Sequence, residues 1–461
     1  MFSGFGNPKD DQYLYDIETE TFTHVPLSIN RSSCAFDSDI DCETRNDCVE
    51  YCASATNGAC PGPSADKSEY SCVSDVSTPD PFCSGHTHWV DGNPIVQGGN
   101  ATGSSGGGGP RSAWRLVDET WSFEGLLSPF FGRWYPSLTT MGDGRIILHG
   151  GDFVNNSITI WDFAAGTSQQ RTAHPIDQLA AGKFFYPFTF QMTDGRLFVG
   201  GQEGAGAFFR DGWIFDPATL QYDGPFTSAI PGGSAVMYEP DQVMKSGGCS
   251  SASSRCIPTD ATQVIDVSIP EPEWAEKCPM PQQRHFQTLT LLPDGTVLMT
   301  GGNSEGNGDS NATFYCREPS GVFTNVECDD AGDCCASVDG GSGGGCNETC
   351  EEWDNTFYAT RSAALWWPWT GHWFEFGEQV HERMYHSTAI LVPDGRVLTA
   401  GNGQRSQLVN QTEVEFFSPP YKFWGPAPEI EVAPDNADYD STIAVDVSMN
   451  GEMAPPRRSV G

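Results

Sequence analysis

Cys83, Tyr135, Tyr385 and His386 are side chains able to do chemistry, and each stands in a short segment that opens a repeat: FCSGH at 82–86, RWYPS at 133–137 and RMYHS at 383–387. Phenols, an imidazole and a thiol together offer metal ligands and groups that can give up an electron. Each also has a purely structural reading. Cys83 fits a half-cystine or a buried thiol, the two tyrosines fit aromatic packing between sheets, and His386 alone fits a satisfied polar residue. What separates the readings is joint placement, because the heads of stacked repeats converge.

The elements that must position these residues follow from one pattern: an alternating apolar strand, Asp-Gly, a second apolar strand, then Gly-Gly. It recurs at 82–100, 134–153, 186–202, 232–248, 285–303 and 384–403. From Asp91 through Asp143, Asp194, Asp241 and Asp294 to Asp394 the steps are 52, 51, 47, 53 and 100 residues. A period of about 50 is that of kelch-type units. Asp-Gly supplies the positive φ angles of a tight hairpin, and Gly-Gly ends the second strand where backbones crowd and a side chain would clash. Each unit is then a four-stranded blade that must stack on its neighbours to bury its faces. The doubled last step holds a cysteine cluster and strand-like sequence at 363–376. The expected fold is all-β, a seven-bladed kelch-type β-propeller over 1–423. Its first blade is incomplete and split between the ends, with YLYDIETETF at 13–22 as the outer hairpin and TEVEFFSPP at 412–420 as the closing strand.

The head segments, with LVPDGRV at 391–397 and EFFSPPYKFWGPAPEI at 415–430, resemble the copper radical oxidases, galactose oxidase and glyoxal oxidase among them. The likeness runs in repeat order through nearly all of 80–430. It implies a mononuclear copper ligated by Tyr135, Tyr385 and His386, and a Cys83–Tyr135 thioether that holds a stable radical. An alcohol must lose two electrons while Cu(II) accepts one, so a second redox centre has to lie against the metal. Tyr385 would take the substrate's hydroxyl proton and the Tyr135 radical would abstract hydrogen from carbon, with O2 leaving as H2O2. All four side chains should then meet at one end of the propeller axis. The resemblance also implies that 424–461 begins a truncated immunoglobulin-like (early set) domain. The family's second histidine ligand comes from that domain, and no His follows Pro420 here. Galactose oxidase stacks a tryptophan over its cross-linked tyrosine, eighteen residues beyond it; the same step from Tyr135 lands on Phe153, the expected substrate-binding residue. RWYP leans toward glyoxal oxidase, so a small primary alcohol, aldehyde or carbohydrate is expected as substrate, with galactose not the first choice.

Bulk properties agree with an extracellular setting. Against 24 Lys and Arg stand 61 Asp and Glu, a formal charge of -37, which disfavours nucleic acid and anionic membranes as partners. Two groups of six cysteines, between Cys34 and Cys72 and between Cys316 and Cys350, lie in Asp/Gly/Ser-rich sequence and read as disulfide-stapled insertions. With Cys83 committed to the thioether and Cys249 and Cys256 able to close a short loop, Cys278 is left over. Asn-x-Ser/Thr sequons at Asn30, Asn100, Asn155, Asn311, Asn347 and Asn410 point the same way. No signal peptide opens the chain, and an N-terminus lost by truncation is expected. The rival from another class is a kelch propeller that binds glycan or protein without catalysis.

Overall fold

The structure, a computed structural model, describes residues 80–100, 112–118, 120–126, 132–151, 158–162, 167–171, 185–202, 210–230, 232–248, 257–304, 359–402, 413–425, 428–434 and 442–448, and short segments at 2–3, 12–19, 21–24, 31–34, 37–41, 72–75, 314–317, 323–327 and 349–352. No α-helix occurs among the described residues. The chain divides into two compact units, Met1–Ser254 with Gln263–Glu276, and Arg255–Thr262 with Lys277–Gly461.

The architecture is of β-propeller type: antiparallel sheets that each carry one copy of the repeat. The first blade runs Asp80–His88, Pro94–Asn100, Ser112–Val117, Thr120–Leu126, and the second Ser137–Thr140, Ile146–His149, Ile158–Asp162, Thr167–Arg171. The third is Pro187–Gln191, Leu197–Gln202, Asp211–Asp216, Gln221–Thr227, and the fourth Ser234–Glu239, Gln242–Ser246, Thr262–Asp266, Ala275–Glu276. In the second unit the fifth is Thr288–Leu291, Val297–Thr300, Ser362–Trp367, His372–Glu378, and the sixth is Thr388–Leu391, Val397–Ala400, Glu415–Phe417. The doubled spacing before Asp394 is thereby explained, because 304–358 is inserted between the second and third strands of the fifth blade.

Hydrophobic pattern and burial agree strand by strand. The second strands IILH, VLMT and VLTA are buried at every position, as apolar runs covered on both faces should be. The fourth strands QYDGPFT and HWFEFGE are mostly exposed. Core residues fill the spaces between blades: Ile95 and Ala113 against Leu138, Ile146 and Leu148, then Ile147 and Ile160 against Leu197, Val199 and Phe215. In the second unit Leu298 and Leu365 pack against Val397. Each such side chain contributes about 1.5–3 kcal/mol only when a neighbouring blade covers it.

One expectation changes. Glu415–Phe417 pairs with Val397–Ala400 as the third strand of the sixth blade rather than closing a seventh. The hairpin at 13–22 forms, with Gln12–Asp16 against Thr21–His24, and Leu14 packs on Trp114, Leu116 and Trp121 of the first blade. Six blades bear the repeat among the described residues; the seventh stays an expectation. Most of both cysteine-rich insertions lies outside the described residues. In each, a short sheet sets the first cysteine opposite the last, Cys34 to Cys72 and Cys316 to Cys350. Glu429–Val432 pairs with Asp446–Ser448 in the segment expected to begin the immunoglobulin-like domain.

Three buried arginines tie blade heads to the strands behind them. Arg133 Nη1 donates to Gly150 O at 2.5 Å and Nη2 to Thr159 Oγ1 at 2.8 Å. Arg284 donates to Gly301 O at 3.2 Å and to Ser362 O and Oγ at 2.7 and 3.0 Å. Arg383 donates to Gly401 O at 3.1 Å and Glu413 O at 2.8 Å. In every case the first acceptor is the leading glycine of the blade's Gly-Gly or Gly-Asn pair, and the second lies within two residues of the start of the third strand. Burial pulls the Arg284 guanidinium down to about 10, with Glu375 opposing, so it stays charged at neutral pH. Arg284→Ala should lower the unfolding free energy by about 3–5 kcal/mol, since it leaves buried carbonyls unpaired, and Arg284→Lys should recover less than half because an ammonium cannot fork. Urea titration of the two variants measures this.

Lys245, on the second strand of the fourth blade, is fully buried, donates to Gly200 O at 3.3 Å and lies 5.8 Å from the Phe188 ring. Burial pushes its pKa down to about 7, with Asp211 opposing. The unfolded chain therefore holds one more proton between pH 7 and the ordinary lysine range, and stability contributed at this site rises with pH across that window. Lys245→Met should be more stable than wild type at pH 6 to 7 and show a flatter rise. Equal slopes in both proteins would mean that the ammonium is not the source.

Candidate active site

The blade heads share one backbone feature. Among the described residues eight non-glycine residues have left-handed φ, and five of them are heads: Cys83 (66°), Tyr135 (64°), Tyr186 (41°), Phe286 (61°) and His386 (64°). Gly233 takes the same conformation in the fourth blade. Each lies eight residues before its turn aspartate, Cys83 before Asp91, Tyr135 before Asp143, Tyr186 before Asp194, Gly233 before Asp241, Phe286 before Asp294 and His386 before Asp394. A left-handed L-residue costs on the order of 1–2 kcal/mol, and such strain persists only where the surroundings over-determine it.

Here the surroundings are the glycine pairs. A Cβ on Gly98 would lie 2.5 Å from Arg133 O, on Gly151 2.9 Å from Trp134 O, on Gly302 2.8 Å from His285 O and on Gly401 2.8 Å from His386 O. Gly99 N donates to Arg133 O at 3.0 Å and Trp134 N to Gly151 O at 2.8 Å. The expected crowding at Gly-Gly is thus a crowding against the heads themselves, and it fixes where the head side chains begin.

In the first unit the structure brings Cys83 and Tyr135 together. Tyr135 N donates to Cys83 O at 3.0 Å, and Tyr186 N donates to Tyr135 O at 2.8 Å, so three successive heads are joined backbone to backbone. Cys83 and Tyr135 are buried. The Tyr135 ring stacks with Trp134 at 4.1 Å and 19° and with Tyr186 at 4.6 Å and 23°, and Phe185 meets it edge-on at 5.6 Å. An indole therefore does contact Tyr135, supplied by the preceding residue; Phe153 lies outside the described residues.

The second unit holds Tyr385 and His386. Their rings are 3.8 Å apart, Phe286 is 4.9 Å from Tyr385, and the buried His285 is 3.8 Å from Phe286. Met384 N donates to Asn402 Oδ1 at 3.0 Å, which fastens the strand end to this head. No group of three or more His, Cys, Asp or Glu is placed to hold a metal among the described residues. The phenol and imidazole that this unit sets side by side on fixed backbone are donor types that suit tetragonal Cu(II). The sequence motifs assign no role to Trp134, Tyr186, His285 or Phe286. The constant eight-residue step to the turn aspartate marks Tyr186 and Phe286 directly, and Trp134 and His285 as the residues before a head.

No family model matches the chain. An aldehyde oxidase GLOX of Vitis pseudoreticulata is 24% identical over 351 residues, covering 70% of this chain and 58% of its own length. A putative aldehyde oxidase of Artemisia annua, Art an 7, is 24% identical over 413 residues, covering 78% of this chain and 60% of its own length. The chain thus spans less than two thirds of these curated relatives. Among solved structures, a fungal alcohol oxidase of the AA5 family in complex with copper shares the fold, with a TM-score of 0.60 at 18% identity over 83% of this chain and 73% of that one.

Gly401→Ala should destabilise the chain by about 2–3 kcal/mol, through φ strain and the clash with His386 O, whereas Gly92→Ala, equally left-handed but in open space, should lose only about 1 kcal/mol. Thermal unfolding of both variants checks the difference. In sequence with the aldehyde oxidases and in fold with the AA5 alcohol oxidase, the likeness of this chain is to the copper radical oxidase family.

Proposed function

We propose that the chain is the propeller part of an extracellular copper-dependent oxidase that turns a primary alcohol or an aldehyde and O2 into an aldehyde or an acid and H2O2. The observation that carries the reading is the pairing of Cys83 with Tyr135 at adjoining strained heads under stacked aromatics, in a chain similar to aldehyde oxidases. Tyr135, Tyr385 and His386 would be the copper ligands. Bound Cu(II) would supply one-electron acceptance and a seat for the substrate oxygen.

The remaining work falls to the chain. Tyr385, which as a copper ligand beside His386 would be a phenolate, takes the hydroxyl proton as general base and becomes the phenol. Tyr135, cross-linked to Cys83, holds the second oxidising equivalent as a phenoxyl radical and abstracts hydrogen from the carbinol carbon. Trp134 and Tyr186 cover the Tyr135 ring and keep water from it. Atoms balance as RCH2OH + O2 giving RCHO + H2O2; an aldehyde enters as its hydrate and leaves as the acid. The strand pair at Glu429–Val432 and Asp446–Ser448 supports reading 424–461 as the start of an immunoglobulin-like domain.

The complete gene product, loaded with Cu(II) in air, should release peroxide from simple primary alcohols and a small α-hydroxy aldehyde at least as well as from galactose. Tyr135→Phe and His386→Ala should each lower kcat/KM by about a thousandfold or more, as loss of a reacting group does. Wild-type turnover in Tyr135→Phe would overturn the reading.

A further inference from the structure

Tyr186 is engaged in three ways at once. Its backbone N–H donates to Tyr135 O at 2.8 Å, its ring stacks with Tyr135 at 4.6 Å, and its hydroxyl donates to Ser84 O at 3.3 Å. Ser84 follows Cys83, and Cys83 O accepts from Tyr135 N. One side chain therefore grips both partners of the pair from the third blade. It does so in the left-handed conformation, with a φ of 41°, on a residue type that has no local reason to adopt it. If aromatic covering alone were required, Phe185 and Trp134 already provide it.

We infer that Tyr186 is a positioning residue that holds Cys83 and Tyr135 in register for their covalent joining. The inference rests on the functional reading above. In the joining step the Cys83 S–H bond and an ortho C–H bond of Tyr135 break, a C–S bond forms, and two protons and two electrons pass to O2, giving H2O2. Nothing in that balance requires chemistry from Tyr186. Its contribution is geometric: stacking sets the plane of the Tyr135 ring, and the Ser84 hydrogen bond keeps the strand that carries Cys83 from drawing away. A bond-forming step between two groups on different blades is sensitive to displacements of about 1 Å, which can slow it by about a hundredfold.

The test uses the full chain purified without copper, then given Cu(II) in air, with the cross-link followed as loss of two hydrogens in the peptide that joins the Cys83 and Tyr135 segments. Wild type should cross-link to completion. Tyr186→Phe keeps the stack and loses the hydroxyl, and should slow the joining by about threefold; Tyr186→Leu loses both and should slow it by about tenfold or more. Phe226→Leu, in the same blade but at a half-buried position packed against the core cluster of Phe198 and Ile214, serves as a control for destabilisation of this blade and should join at the wild-type rate. Joining by Tyr186→Leu at the wild-type rate overturns the inference, as does equal slowing by Phe226→Leu. If wild type itself never loses the two hydrogens, the functional reading fails, and the inference with it.

Discussion

A guanidinium buried at the head of a blade, forked between the carbonyl just past one strand and an oxygen near the start of the next, is the interaction on which the rest of this structure depends. Arg133, Arg284 and Arg383 each use it, and each is desolvated to do so. Burying a charge is costly unless its donors are used. Here the acceptors are main-chain carbonyls that would themselves be buried and unpaired, so arginine and strand ends satisfy one another. Not every donor is used: Arg284 Nε and Arg383 Nε are buried without a hydrogen-bond partner. Such an arrangement tolerates little repacking, which is what a fixed head requires.

The heads inherit that rigidity and use it against the backbone. Left-handed φ at Cys83, Tyr135, Tyr186, Phe286 and His386 is unfavourable residue by residue, yet it recurs at the same step of every described repeat. Glycines behind the heads leave no room for the chain to relax. The hydrogen bonds from Tyr186 to Tyr135 and from Tyr135 to Cys83 run from blade to blade and add a constraint that no single blade contains. Side chains capable of chemistry are thus presented from backbone that cannot swing, while the exposed outer strands tolerate polar and charged residues freely.

How much of this was legible in the sequence differs between periodic and one-off features. The hairpins were legible because Asp-Gly and Gly-Gly act through backbone physics that is the same in each copy: Gly92, Gly144, Gly195, Gly295 and Gly395 all turn with φ between 82° and 85°. Cys83, Tyr135 and His386 were legible as heads for the same reason. The partner of 412–420 was not, because pairing is decided by which edge is open, and a short apolar strand such as Glu415–Phe417 fits more than one. Nor was the stack of Trp134 on Tyr135. Neighbouring side chains ordinarily diverge, and only the left-handed turn at Tyr135 brings these two rings together. Tyr186 was hidden differently: its importance lies in reaching Ser84 in another blade, and one repeat read by itself carries no sign of that.

The insertion in the fifth blade bears on the order in which the molecule is assembled. In the second and third blades eight residues separate the second strand from the third, whereas in the fifth 61 residues separate Thr300 from Ser362. Closing the longer loop costs about 2 kcal/mol more in chain entropy before any strand pairing is gained. Pairing of Phe314–Arg317 with Thr349–Glu352 removes about half of that difference, because it leaves only arms of 13 and 9 residues to close. The cysteine-rich insertion thus shortens its own loop. Chain entropy favours a sequence of events in which the insertion folds first and the blade around it is completed afterwards.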